Sequence, residues 1–239
     1  MKKSYILLFL VFTTWFSFNA FSQEDEKSGW NASVGADLVS RYIWRGLASS
    51  KTPALQPYME VTNSGFSVGT WASYTLGEEL IQEVDLYLSY SISDFTIMVT
   101  DYFAYEDTLP SFDYFNFSSG STTHLLDAQL IYEGPENFPI TATLSTLFFG
   151  PDKNAAGNNN YSTYIELAYN FSINDFSIIP FAGYSLNEGY YNTKAGFINC
   201  GLTGESEIKI NETFAVPIAV SFITNPLDKN VFVVLMLSL

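Results

Sequence analysis

From Trp30 to the last residue, apolar side chains recur at every second position, a spacing that sorts the faces of a strand and scrambles those of a helix. Across Glu83–Tyr90, one face carries Val84, Leu86, Leu88 and Tyr90, and the other carries Glu83, Asp85, Tyr87 and Ser89. Further on, Thr163, Ile165, Leu167, Tyr169 and Phe171 alternate with Ser162, Tyr164, Glu166, Ala168 and Asn170. Ile140, Ala142, Leu144 and Phe148 oppose Thr141, Thr143 and Ser145. Phe214, Val216, Ile218, Val220 and Phe222 alternate with small residues and Pro217. The pattern predicts strands centred on 32–45, 54–62, 66–76, 82–92, 95–105, 123–133, 140–149, 161–172, 176–186, 196–210, 214–224 and 231–239.

Alternation alone leaves open what meets the apolar faces. The chain is 47% hydrophobic and 17% aromatic but only 15% charged, where a soluble domain carries about 25% charge. No later stretch offers the ~18 consecutive apolar residues of a membrane helix. Aromatic, weakly charged strands without such a helix fit an all-β, closed antiparallel transmembrane β-barrel of about 12 strands, in which only alternate side chains meet lipid. The connections agree. Asn63-Ser64-Gly65, Ser93-Asp94, Asn174-Asp175 and Asn211-Glu212-Thr213 are tight polar turns, with a somewhat longer link at 133–139, whereas 106–121, 150–160 and 187–195 are long loops. Short periplasmic turns on one rim and long extracellular loops on the other, with both termini on the periplasmic side, is the expected layout. The last strand, Val231 to Leu239, runs to the end of the chain, so it is placed to pair with the first and remove both edges. The structural rival is a secreted β-sandwich, which should show more charge on its outer faces.

The first residues read as an export signal. Lys2 and Lys3 precede the apolar run Tyr5–Phe12, and Ala20-Phe21-Ser22 sets small residues where a signal peptidase cuts. Residues 1–22 are therefore expected to be a signal peptide and 23–239 the barrel domain, placed in the outer membrane. The charge is −15, and removing Lys2 and Lys3 leaves 8 basic against 25 acidic residues, or −17. Nucleic acid is an unsuitable partner for such a surface. Cys200, the single cysteine, excludes an internal disulfide and a cysteine metal cluster, and reads as a buried or lipid-facing small side chain.

Several stretches carry a resemblance. They are Ser40-Arg-Tyr-Ile-Trp-Arg-Gly46 with Pro53-Ala-Leu-Gln-Pro57, then Gly65–Ser73, Glu83–Tyr87, Tyr161–Glu166 and Tyr190-Tyr-Asn-Thr193. Together they resemble the TorF-like family of outer-membrane porins in its Bacteroidetes-type form, over nearly all of the mature chain. That resemblance implies an outer-membrane barrel and supplies no substrate or catalytic residues.

Candidate functional residues come from the face opposite the apolar one. Glu83, Asp85, Asp127, Gln129, Glu166, Glu205, Glu207 and Lys209 occupy it, and Asp37, Arg41 and Arg45 share one face of the expected first strand. Arg41 and Arg45 would then stand roughly 13 Å apart at ~3.3 Å per residue. If the apolar face meets lipid, these groups line the lumen. Two readings follow. One is a narrow porin-like channel for small polar or cationic solutes; the other is an Arg–carboxylate network that braces and plugs a structural barrel. Arg45 beyond the rim, beside a Gly46 turn, is a third placement.

Aromatics at strand ends (Tyr42, Trp44, Tyr74, Tyr102, Phe103, Phe148, Phe149, Tyr161, Tyr164) suit an interfacial girdle. The loop cluster Phe112, Tyr114, Phe115 and Phe117 suits loop packing before a sugar platform. A lipid-acting enzyme is the remaining class. Outer-membrane phospholipases set His and Ser two apart on an outward face, but His124 has Thr122 and Leu126 at those positions, and Ser118, Ser119 and Ser121 lie in a loop. Gly150-Pro-Asp-Lys-Asn154 with Asn158–Asn160 lacks the regular spacing of a calcium loop and reads as a solvated loop. Outer-membrane lipid and small solutes or ions are the implied partners, and no cofactor is implied.

Overall fold

The computed structural model describes residues 29–77, 81–106, 113–212 and 214–239, so the expected signal peptide and Phe112 lie outside the described residues. The alternating runs become β1 (Asn31–Val39), β2 (Ile43–Trp44), β3 (Leu47–Ala48), β4 (Ala54–Asn63), β5 (Phe66–Thr75) and β6 (Ile81–Ile92). They continue as β7 (Phe95–Glu106), β8 (His124–Glu133), β9 (Ile140–Phe149), β10 (Thr163–Tyr169) and β11 (Phe171–Ile173). The last are β12 (Phe176–Ser185), β13 (Gly196–Lys209), β14 (Ala215–Asn225) and β15 (Asn230–Ser238).

Each long strand pairs antiparallel with its neighbour in sequence, and β10 pairs with both β9 and β12, so the sheet runs around on itself. With β11 as the continuation of β10 past Asn170, this is a closed 12-strand antiparallel β-barrel. Closure uses the end of the chain as expected: Asp37, Leu38 and Val39 sit opposite Ser238, Leu237 and Met236. A ring of strands is not the two packed sheets of a sandwich. Ser64, Ser93 and Asn174 adopt φ of 51–55°, the left-handed geometry of tight hairpin turns, on the rim that also holds the start of β1.

Period two sorts the side chains as the sequence requires. Outward positions are apolar and bare to the surroundings, as at Val34, Leu88, Ile97, Leu144, Leu167, Phe222 and Val233, whose exposure runs from 41% to 66%. An apolar belt of that extent is stable only against another apolar phase. Inward positions are polar and closed off: Gln56, Asp127 and Ser145 are 0% exposed and Thr100 is 5%. The interior is therefore narrow. Tyr58 and Tyr87 lie along the wall, close to Gly35 and Gly69 on the neighbouring strands.

The first expected strand is corrected. It ends at Val39 rather than continuing to residue 45, so Arg41 and Arg45 do not share a strand face. The Ser40 N–H is the last to reach β15, donating to Leu235 O at 2.8 Å, and the chain then turns into the barrel as the β2–β3 hairpin. The two-residue tip explains the turn: Arg45 and Gly46 both have positive φ, 48° and 77°.

Candidate functional site: an arginine hairpin inside the barrel

The hairpin spanning β2 and β3 is held at its base by local bonds. Tyr42 N–H donates to Ser50 Oγ at 2.9 Å, and Ser49 and Ser50 N–H both donate to Tyr42 O. Its side chains fill the long-loop half of the lumen. Trp44 meets Tyr102 edge-on at 5.2 Å and Tyr191 at 5.6 Å, and Tyr42 leans on Trp71 at 5.2 Å. Leu125, Leu147, Tyr164 and Ile198 complete this core. Tyr42, Trp44, Tyr102, Phe103 and Tyr164 are thus interior residues, not the girdle members expected; Tyr74, Phe148 and Tyr161 remain exposed at rim positions.

Arg45 stands at the tip, wholly buried. Its Nη2 donates to Asp127 Oδ2 at 2.6 Å and its Nη1 to the Tyr191 hydroxyl. The guanidinium carbon lies 4.9, 5.0 and 5.5 Å from the rings of Trp44, Tyr164 and Tyr191. A buried guanidinium is stable only when a carboxylate and hydrogen bonds replace its water, and aromatic faces add cation–π attraction. Asp127 is matched in turn. Ser145 Oγ donates to it at 2.7 Å and the Tyr102 hydroxyl lies at 3.4 Å. Burial raises the Tyr191 phenol above its ordinary range, with the Arg45 charge pulling the other way. Arg45 is buried inside the barrel at the tip of an inward hairpin, and not on a continuing first strand or beyond the rim.

The other expected lumen residues divide by level. Asp37 accepts from Ser238 Oγ at 2.6 Å, Glu83 from the Tyr42 hydroxyl at 3.2 Å, and Asp85 from Phe103 N–H at 3.4 Å. Glu166 accepts from Asn199 Nδ2 at 2.7 Å and from the Tyr164 hydroxyl. Glu205 is half-buried, whereas Glu207 and Lys209 are exposed on the short-turn rim, with Lys209 3.2 Å from Asp175 in an open pair of little energetic weight. Arg41 lies outside the Arg45–Asp127 network and is partly exposed near Lys51.

Glu60 and Glu133 also face inward, and sequence reading missed both. Their parity with Gln56 and with Asp127 and Gln129 was the available signal. Gln56 Oε1, Gln129 Oε1 and Glu133 Oε1 are buried and face no donor among the described residues, which leaves them for water or a polar solute.

His124 is fully buried. His124 has the opposite parity from Asp127 and Gln129, and it is buried because the rings of Phe103, Tyr114 and Phe117 close over it. The ring stacks on Phe117 at 4.1 Å, with Tyr114 edge-on at 5.0 Å, so these loop aromatics are packed while Phe115 is 84% exposed. Nδ1 lies 2.9 Å from both Asp101 oxygens and Nε2 2.5 Å from Tyr114 O. Both nitrogens are engaged by acceptors, and neither bonds a serine among the described residues. In the 150–160 loop, the Asp152 carboxylate is buried and taken up by Ser162 N–H, Ser162 Oγ and Asn160 Nδ2 at 2.8–3.0 Å, which pins the loop to the barrel mouth. Cys200 is partly buried and free.

Two comparisons bear on this geometry. A family model described as "Bacterial protein of unknown function (Gcw_chp)" matches residues 23–232. The curated proteins contain no match to the chain.

Proposed function

The chain belongs to the Gcw_chp family of bacterial proteins of unknown function, and from its barrel we propose an outer-membrane protein that acts as a narrow conduit for small polar or cationic solutes, stoppered by its own hairpin. The observation that carries this is the inward charge. Asp37, Glu60, Glu83, Asp85, Glu133, Glu166 and Glu205 face the interior beyond the one carboxylate, Asp127, that neutralises Arg45. A narrow passage lined by one sign of charge concentrates the opposite ion. The bare apolar belt supports a lipid surrounding, and the resemblance to TorF-like porins points the same way.

The purified chain should run on gels with heat-modifiable mobility, as closed barrels do, and should show discrete, cation-preferring conductance in planar bilayers. Glu60→Gln combined with Glu205→Gln should lower the cation-to-anion permeability ratio, because both lie away from the Arg45 network. A second reading is a permanently closed structural barrel, favoured by the packed aromatic core around Trp44. Silence at every voltage, even after residues 42–49 are replaced by a short Gly-Ser link, would select it and overturn the conduit.

A further inference from the structure

Beside the hairpin, the barrel interior holds a cavity of about 100 Å³. Arg45 reaches away to Asp127 on β8, whereas this space is bounded by β2 and by inward side chains of β10 and β12–β15. Val39, Ile43, Ile179, Ile223, Val234 and Met236 give it an apolar lining. Its volume matches about three waters at ~30 Å³ each and lies below the ~150 Å³ that accepts benzene. Only a molecule of a few heavy atoms fits.

Two charged side chains, Arg41 and Glu166, line the same cavity without pairing with each other. The Arg41 guanidinium lies 5.7 Å from the Phe232 ring and 3.5 Å from Lys51 O, and no carboxylate pairs with it among the described residues. Glu166 accepts from the Tyr164 hydroxyl and from Asn199 Nδ2, at 2.7 Å, but both bonds fall on Oε2. Its Oε1 accepts none among the described residues. The remaining hydroxyls, Thr203 and Ser221, share a bond at 2.9 Å. A mostly apolar hollow with a few convergent polar groups is the usual form of a small-molecule site. Here the convergent groups have opposite charge. A lone anion would satisfy Arg41 and be repelled by Glu166, and a lone cation would do the reverse. A ligand carrying both charges satisfies both.

We propose that this cavity binds a small aliphatic α-amino acid of about the size of alanine. Its carboxylate lies on Arg41, its ammonium on Glu166 Oε1 and its side chain against the apolar lining. The proposal deepens the conduit reading, on which it rests for access from water, by naming small zwitterions as the solutes held beside the hairpin. In saturation-transfer NMR, L-alanine should bind the detergent-folded barrel. Propionate and ethylamine, which each keep one of its charges, should bind at least tenfold more weakly, the worth of one charge-assisted contact. L-Tryptophan, too large for the space, should not compete. Arg41→Gln should weaken alanine binding about tenfold and erase its advantage over ethylamine; Glu166→Gln should do the same against propionate. Should Glu166→Gln lose the heat-modifiable mobility of a folded barrel, the three-ligand comparison on the wild type still decides. Equal binding of the three ligands, indifference to Arg41→Gln, or no alanine bound by the folded barrel overturns the site. Alanine bound by a barrel silent in bilayers keeps the site and removes the conduit; conductance without alanine binding does the reverse.

Discussion

Arg45→Met should lower the stability of the folded barrel by about 3–5 kcal/mol in urea titrations from lipid vesicles, because it leaves the Asp127 carboxylate buried without its cation. Asp127→Leu should cost a similar amount by stranding the guanidinium. Arg45→Met with Asp127→Leu should recover most of the loss, since removing both charges also removes the desolvation penalty that each imposes. Ser145 and Tyr102, which both reach Asp127, would keep part of the coupling from cancelling. The same series separates two roles for the charge. If the ion pair is the latch, Arg45→Met opens the lumen and conductance rises; if the aromatic packing of Tyr42 and Trp44 holds the hairpin, conductance stays as it was while stability falls. Equal stabilities for wild type and both single variants would mean that the pair is not buried in the working protein.

The barrel was legible because the two faces of each strand carry opposite kinds of side chain. Leu86 and Leu88 against Asp85 and Ser89, or Ile165 and Leu167 against Tyr164 and Ala168, already announced which way each residue would point, and the exposures follow that order. Asp127 and Glu166 were legible for the same reason. The hairpin was not. Asp37, Arg41 and Arg45 keep the period of a continuing strand, and Arg-Gly is not among the Asn-Gly or Asp-Gly pairs that signal a two-residue turn. Nor does parity reveal who receives the intruding side chain: Tyr191 meets Arg45 across 146 residues of sequence, from a loop with no alternation of its own. The burial of His124 was not legible for a third reason: strand parity does not report the loop rings of Tyr114 and Phe117 that close over it.

Gly46→Ala should drive the hairpin out of the lumen. A methyl group built at Gly46 would lie 2.7 Å from the Ile198 carbonyl carbon, closer still to its oxygen, and 3.2 Å from Asn199 Cα. These are backbone atoms of β13, at the bulge where Ile198 is passed over between Asn199 and Phe197 in the ladder with β12, so no side-chain rotation can relieve the clash. The left-handed φ of 77° adds about 1 kcal/mol for any residue with a Cβ. The tip must then retract, breaking the Asn225 Nδ2 bond to Gly46 O and withdrawing Arg45 from Asp127. Two readouts follow. Trypsin, which cannot reach the wholly buried Arg45 in the native barrel, should cut after it in the variant while the rest of the barrel keeps its heat-modifiable mobility. Conductance should rise severalfold, because the aromatic core loses both Tyr42 and Trp44. Gly120→Ala is the control: nothing lies within 4 Å of a Cβ there, and both readouts should match wild type. If Gly46→Ala stays resistant to trypsin and conducts as before, the hairpin is not seated against β13, and the stopper must be sought elsewhere in the lumen.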